Sequence, residues 1–191
     1  MSNLVTLRHL FQIKVSLHEA RPPIWRRLLV TDTLSLASFH QVLQIAMGWE
    51  NYHEHQFIYH HEVIGDLDPF SRFTWAAEQK TRLRDLLKYE GDWLTYEYDF
   101  GCSWLHDITL EQILTYDLKR APLYCKAGRR ACPPENCGGA WGFEALLDAY
   151  THPQHPDYQD ILQLLPDKFD PSHFDRHQVN YRLRQLKLNY L

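Results

Sequence analysis

From Phe11 to Leu17 apolar and polar residues alternate strictly, with Phe11, Ile13, Val15 and Leu17 on one side and Gln12, Lys14 and Ser16 on the other. A period of two predicts a strand with one face buried. Arg21-Pro22-Pro23 turns the chain, and residues 24–30 read as the antiparallel return strand, with Arg26 and Arg27 set in an apolar run. The period then changes. Leu36, Phe39, Leu43, Ala46 and Met47 follow helical spacing, Thr33 or Ser35 can cap the start, and Gly48 can end it. Alternation returns over residues 53–61, where His53, His55, Phe57, Tyr59 and His61 share one predicted strand face. Residues 65–77 read as a long loop or irregular hairpin, and residues 81–88 have short helical spacing. Tyr96, Tyr98 and Phe100, then Trp104, His106, Ile108 and Leu110, predict a hairpin closed by Gly101-Cys102-Ser103. Helices are expected over residues 141–150, 158–165 and 176–188, separated by Pro153, Pro156, Pro166 and Pro171.

Strands therefore fill the first two thirds and helices the last third. That segregation predicts an α+β fold rather than a parallel sheet with helices wound on both faces. The expected architecture is a mainly antiparallel sheet with one crossing helix and a helical C-terminal third. A chain of 191 residues is sized for one domain, residues 1–191, with residues 1–9 as a flexible tail.

Composition narrows the function classes. Hydrophobic residues at 45% and charged residues at 23% are globular values. A formal net charge of -4 argues against a protein that coats nucleic acid, because phosphate affinity comes mainly from Lys and Arg. The opening MSNLVTLRHL lacks the apolar run and cleavage site of a signal peptide, and no stretch approaches a membrane span. A cytoplasmic location is expected, where the four cysteines stay reduced or bind metal rather than pair as disulfides.

Three of those cysteines crowd into residues 122–140, a loop punctuated by Pro and Gly. Cys125, Cys132 and Cys137 are spaced C-x6-C and C-x4-C. A structural zinc ion needs four nitrogen or sulfur ligands, and the preceding hairpin makes His106 the candidate for the fourth. The same pattern also suits ordinary reduced thiols in a loop. Twelve histidines and six tryptophans are far above average usage. Such rings can fill a sheet-based core with their polar tips hydrogen-bonded, so each histidine has a packing explanation beside its chemical one.

The segments RPPIWRRLLV, LASFHQVLQIAMGWENYHEHQF, YEYDFGCSWLHDITLE, RRACPPENCGGAWGFEALLDA and FDPSHFDRHQVNYRLRQL resemble, in that order, the plasmid Ri ORF-three-like family. The resemblance runs from about Phe11 to Leu186. It implies a protein of bacterial or archaeal plasmids and chromosomes, sometimes a passenger of an insertion element, whose biochemical activity is not established. It further implies that His40, Trp49, His53, Asp99, Gly101, Trp104, His106, Cys132, Pro133, Pro134, Glu135, Gly138 and Gly139 occupy recurrent family positions. Cys125 and Cys137 fall where related chains often carry Cys. The chain departs from the pattern at Cys102, where an acidic residue is usual.

Three function classes follow. The first expectation is an interaction or accessory module, with a protein partner not named by the sequence, stabilised by zinc on Cys125, Cys132, Cys137 and His106. The second is a metal-dependent, hydrolase-like enzyme with His40, His53, Asp99 and His106 in a cleft between helix and sheet, Glu135 joining them. The third is a nucleic-acid accessory protein of mobile elements that clamps phosphates with Arg26, Arg27, Arg129 and Arg130. No feature of the sequence demands an oligomer.

Overall fold

The computed structural model describes residues 9–65, 75–116, 121–165 and 169–187. Its strands are β1 (His9–Leu17), β2 (Trp25–Thr31), β3 (His55–Tyr59), β4 (Glu62–Gly65), β5 (Trp93–Tyr98), β6 (Trp104–Thr115) and β7 (Leu123–Arg129). The helices are α1 (Leu36–Met47), α2 (Trp75–Lys80), α3 (Leu83–Leu86), α4 (Gly139–Thr151), α5 (Tyr158–Leu164) and α6 (Arg176–Gln185). The strands form one seven-stranded sheet in the order β4-β3-β5-β6-β1-β2-β7, and each neighbouring pair is antiparallel. The α+β class and the antiparallel sheet follow the pattern of the sequence. No helix among the described residues is long and apolar enough to cross a membrane.

Register explains why one sheet face is buried. Ile13 stands opposite Leu28 on β2 and Leu110 on β6, and Phe57 opposite Tyr96 on β5. These residues, with Val15, Val30, Leu94 and Ile108, belong to a single core that also takes in Leu36, Phe39, Val42 and Leu43 of α1. Phe143 and Leu146 of α4 and Val179 and Leu183 of α6 complete the cover. Alternate residues on the other face are polar: Gln12 bonds Glu111, Lys126 bonds Gln12, and Arg27 makes a two-point contact with Glu111 at 2.6 and 2.7 Å. An antiparallel sheet with one packed and one wetted face produces this alternation.

Helix α1 begins and ends as its sequence predicts. Ser35 accepts from the Ser38 N–H, and Gly48 closes the helix in the left-handed region at φ 94°. Elsewhere local signals gave way to pairing. The expected strand over residues 53–61 is a hairpin: His60 and His61 both have positive φ, at 46° and 69°, and β4 returns along β3. Consequently His53 lies before the strand and His61 in the turn. Among the described residues three helices, α1, α2 and α3, stand between β2 and β5 instead of one crossing helix. Helices α4, α5 and α6 fall close to the three expected over residues 141–150, 158–165 and 176–188, but the last third also holds the end of β7 at Arg129. Most of the loop expected over residues 65–77, and most of the tail over residues 1–9, lie outside the described residues.

Cys125 is the clearest correction. It sits in β7 opposite Leu28, fully buried, rather than in a loop. The alternation of Leu123 and Cys125 is strand periodicity, and pairing with β2 outweighs the flexibility suggested by Gly128. Asn180 of α6 closes the other edge of β7, accepting from the Cys125 N–H at 2.7 Å and donating to its carbonyl at 2.9 Å.

Across the sheet from Gly128 lies Arg26, whose guanidinium is 4.1 Å from the centre of the Phe174 ring. A Cβ at Gly128 would overlap that ring. Gly128→Ala is expected to cost roughly 1–3 kcal/mol and to lower Tm by several degrees in calorimetry; an unchanged Tm would show that Phe174 moves aside freely.

Candidate functional site

Helix α1, the connection from Gly48 to Glu54, the β5–β6 turn and the segment from Cys132 to Gly138 converge where β5 ends. Tyr98 projects from β5 into their midst. Its hydroxyl donates to Glu135 Oε1 at 2.5 Å and accepts from the N–H groups of Tyr52 and His53 at 3.0 and 3.3 Å. Burial, then the Glu135 contact, raise the Tyr98 pKa, so the phenol stays protonated. The other Glu135 oxygen accepts from the Glu50 N–H at 2.9 Å. Trp49 stacks on Tyr98 with ring centres 4.9 Å apart and donates to the Pro133 carbonyl at 2.9 Å.

Asp99 stands at the next corner, with a positive φ of 58° that lets Oδ1 accept from the Gly101 and Cys102 N–H groups at 3.1 and 3.3 Å. Such self-bonded turns are a property of the short Asp side chain. The second oxygen faces His53 Nε2 at 3.7 Å, a distance too long for a hydrogen bond. His53 Nε2 is buried and has no hydrogen-bond partner. The sequence-based candidates His53 and Asp99 are thus brought together, and Glu135 joins them through Tyr98.

His40 lies one step deeper. Its Nδ1 meets the Tyr96 hydroxyl at 2.8 Å and its Nε2 meets Asn51 Oδ1 at 2.7 Å. Because Gln44 donates to the same hydroxyl at 2.9 Å, the phenolic proton points to His40 Nδ1, and the imidazole proton is placed on Nε2. Burial, with the neighbouring His55 adding to it, pushes the His40 pKa down to about 3, so the ring is neutral. His55 stacks on it with ring centres 3.5 Å apart and planes within 8°, and reaches Glu78 Oε2 at 3.1 Å. His40, His53, His55 and Glu78 all border one cavity of about 330 Å³.

His106 is elsewhere. It points into the core beneath Trp49, fully buried, and its Nδ1 lies 2.9 Å from the Trp104 carbonyl, so that nitrogen carries the proton. Burial pushes its pKa down to about 4, and Nε2 has no partner. The expected grouping of His106 with His40, His53 and Asp99 is not found: on the same sheet face, His106 on β6 stands opposite Tyr96, one strand further from β3, and packs against Trp49.

The cysteines separate as well. Cys125 bonds the Ala127 carbonyl at 3.5 Å, while Cys132 contacts the Met47 sulfur at 3.6 Å. Both lie near the Arg26 guanidinium, yet burial pushes each thiol up to about 11. Cys137 neighbours Cys102, whose thiol lies against the Asp99 carboxylate and the backbone N–H groups of Gly138 and Gly139. Burial and then Cys102 push Cys137 up to about 12. Among the described residues no group of three or more His, Cys, Asp or Glu side chains is gathered closely enough to hold a metal ion.

Two of the four arginines expected to clamp phosphates are engaged within the protein. Arg26 is 2% exposed and donates to the carbonyls of Ala46, Trp25 and Arg129, and Arg27 is engaged by Glu111. Neither guanidinium is free for a nucleic acid.

The model of one family, described as plasmid pRiA4b ORF-3-like protein, matches residues 9–178. The chain belongs to that family. The ORF-3-like match opens with β1 and closes inside α6, so the whole sheet and the cleft lie within it. The chain is 31% identical over 157 residues to an uncharacterized protein, y4hQ, of Sinorhizobium fredii (strain NBRC 101917 / NGR234), a match covering 80% of this chain and 78% of that one. It is also similar to the crystal structure of a protein of unknown function, MM3350, from Methanosarcina mazei Go1. That similarity has a TM-score of 0.81 at 32% identity and covers 90% of this chain and 98% of the other.

The ORF-3-like cleft includes residues that pattern reading did not single out. Tyr98 was visible only as one member of an alternating strand, and Asn51 only as a neighbour of Gly48. Glu78 gave no signal, since α2 is short and follows a stretch without periodicity.

The depressed His40 and His106 values have a consequence for pH. An unfolded histidine protonates near 6.5, before the folded rings do, so stability is full above that pH and is lost as pH falls from about 6.5 towards 4. His106 accounts for up to roughly 3 kcal/mol of this loss. Calorimetry between pH 7.5 and 4.5 is expected to show a falling Tm, with a shallower slope for His106→Gln; parallel curves would contradict the assignment.

Proposed function

We propose that this ORF-3-like protein is an accessory binding module that holds a small ligand in the cleft between α1, β3 and α2. The observation that carries the reading is His53 Nε2, which is buried and unpartnered 3.7 Å from Asp99, in a residue bordering the 330 Å³ cavity. Native structures pair nearly all buried polar atoms, and each exception asks for a reason. A ligand group that reaches His53 Nε2 would supply the missing partner.

An acid–base enzyme fits the same cleft less well. His40 has both nitrogens engaged and stays neutral, so it relays no proton to His53. The cysteine thiols, all raised in pKa, offer no ready thiolate nucleophile.

A structural zinc ion on Cys125, Cys132, Cys137 and His106 is the second reading. It is favoured by the unpartnered lone pair of His106 Nε2 and by two thiols near Arg26, whose charge they would offset as thiolates. Zinc would have to draw the Cys132–Gly138 segment inward, and it would deprotonate the thiols that burial now keeps neutral.

Native mass spectrometry of the untagged chain, purified without chelator, separates these readings. A small-molecule adduct on the wild type that is lost in His53→Gln, with little change in Tm, is the expected result. A bare wild-type mass would overturn the module. One zinc per chain, lost together with stability in Cys132→Ala, would instead establish the metal site.

A further inference from the structure

Glu78 is the least comfortable charge among the described residues. It is 0% exposed, its Oε2 contacts His55 at 3.1 Å, and its Oε1 is buried with no partner. A buried carboxylate is retained only when it is paired and its lone pairs are met. Here one imidazole meets half of that need. The residue borders the cavity rather than lying in solid core.

The other walls fix the sign and type of what would fill it. A second carboxylate, Glu54, lies on the lining, and among the described residues no Lys or Arg does. His40 contributes no charge, since it is held neutral between Tyr96 and Asn51. An anion would meet Glu78 and Glu54 with no Lys or Arg among the described residues to offset them. A neutral donor would satisfy the oxygen but leave the charge. A cation carrying N–H groups does both, and a charge-assisted hydrogen bond is about twice as strong as a neutral one. At ~30 Å³ per water-sized group, a cavity of about 330 Å³ admits roughly ten non-hydrogen atoms.

We propose that the cavity between α1, β3 and α2 binds a small organic cation bearing N–H donors, a primary ammonium or a guanidinium, through Glu78 Oε1. Glu54 sets the charge at the lining, and the stacked pair His40 and His55 forms a flat wall on which a planar head group can lie. The assignment rests on the binding-module reading and names the ligand class for that cleft. It rests on Glu78, however, whereas the module reading rests on His53.

The test is a titration of the isotope-labelled full chain, followed by amide chemical shifts, with methylguanidinium, methylammonium, tetramethylammonium and zinc chloride in turn. The N–H-bearing cations are expected to give saturable shifts at Asn51, His55 and Gln79, with tetramethylammonium silent. Glu78→Gln should weaken binding at least tenfold. Ala37→Leu, which fills the cavity without touching the carboxylate, should do the same and serves if Glu78→Gln fails to fold. Equal shifts with tetramethylammonium, unchanged affinity in a folded variant, or a response to zinc alone would overturn the cation assignment. A native adduct displaced by none of these cations would also overturn it while leaving the module standing; a bare protein with no titration response would remove both.

Discussion

Two phenolic hydroxyls hold the cleft together. Tyr96 and Tyr98 leave β5 two residues apart, so strand periodicity puts both on the face that packs against α1. The Tyr96 hydroxyl binds His40 and Gln44 of α1, and the Tyr98 hydroxyl binds Glu135 and the backbone at Tyr52 and His53. Each ring buries a large apolar area and ends in a group that must be paired. The apolar part fixes the helix against the sheet, and the polar tip fixes which side chains meet. Without those tips, α1 and the Cys132–Gly138 segment would share a core but no common site.

The same rule accounts for the other polar groups on the buried face. Arg26 reaches three carbonyls and an aromatic ring, so its cation is solvated by protein instead of water. His106 satisfies one nitrogen and leaves the other bare. Such sites are expensive and persist where structure or function requires them. What distinguishes the His53 and Glu78 atoms from the bare His106 nitrogen is position: the first two belong to residues bordering a cavity, whereas His106 is closed in by Trp49 and Tyr96.

The nearness of His53 to Asp99 was legible only because both fall on recurrent family positions. Glu78 and Asn51 were not, because their roles come from contacts across 23 and 11 residues to rings with no local sequence relation to them. The sequence placed Cys125 in a loop for a related reason. Cysteine spacing along the chain said nothing about which strand would pair with which, and once β7 joins β2 the Cys125 side chain is committed to the core. Arg26 and Arg27 show the same limit in a smaller compass: adjacent in sequence, they face opposite sides of the sheet, one buried beneath Phe174 and the other bonded to Glu111.

Alone, the sequence determined the α+β class, the antiparallel hairpins, the bounds of α1 and family membership, because periodicity, capping and motif order are local and repeat along the chain. Only the tertiary structure decided that residues 60 and 61 turn rather than continue a strand, that His106 leaves the histidine group, and that Glu78 enters it. Those outcomes depend on register and on the pairing of buried polar atoms, which are set between segments distant in sequence and leave no periodic trace within either one.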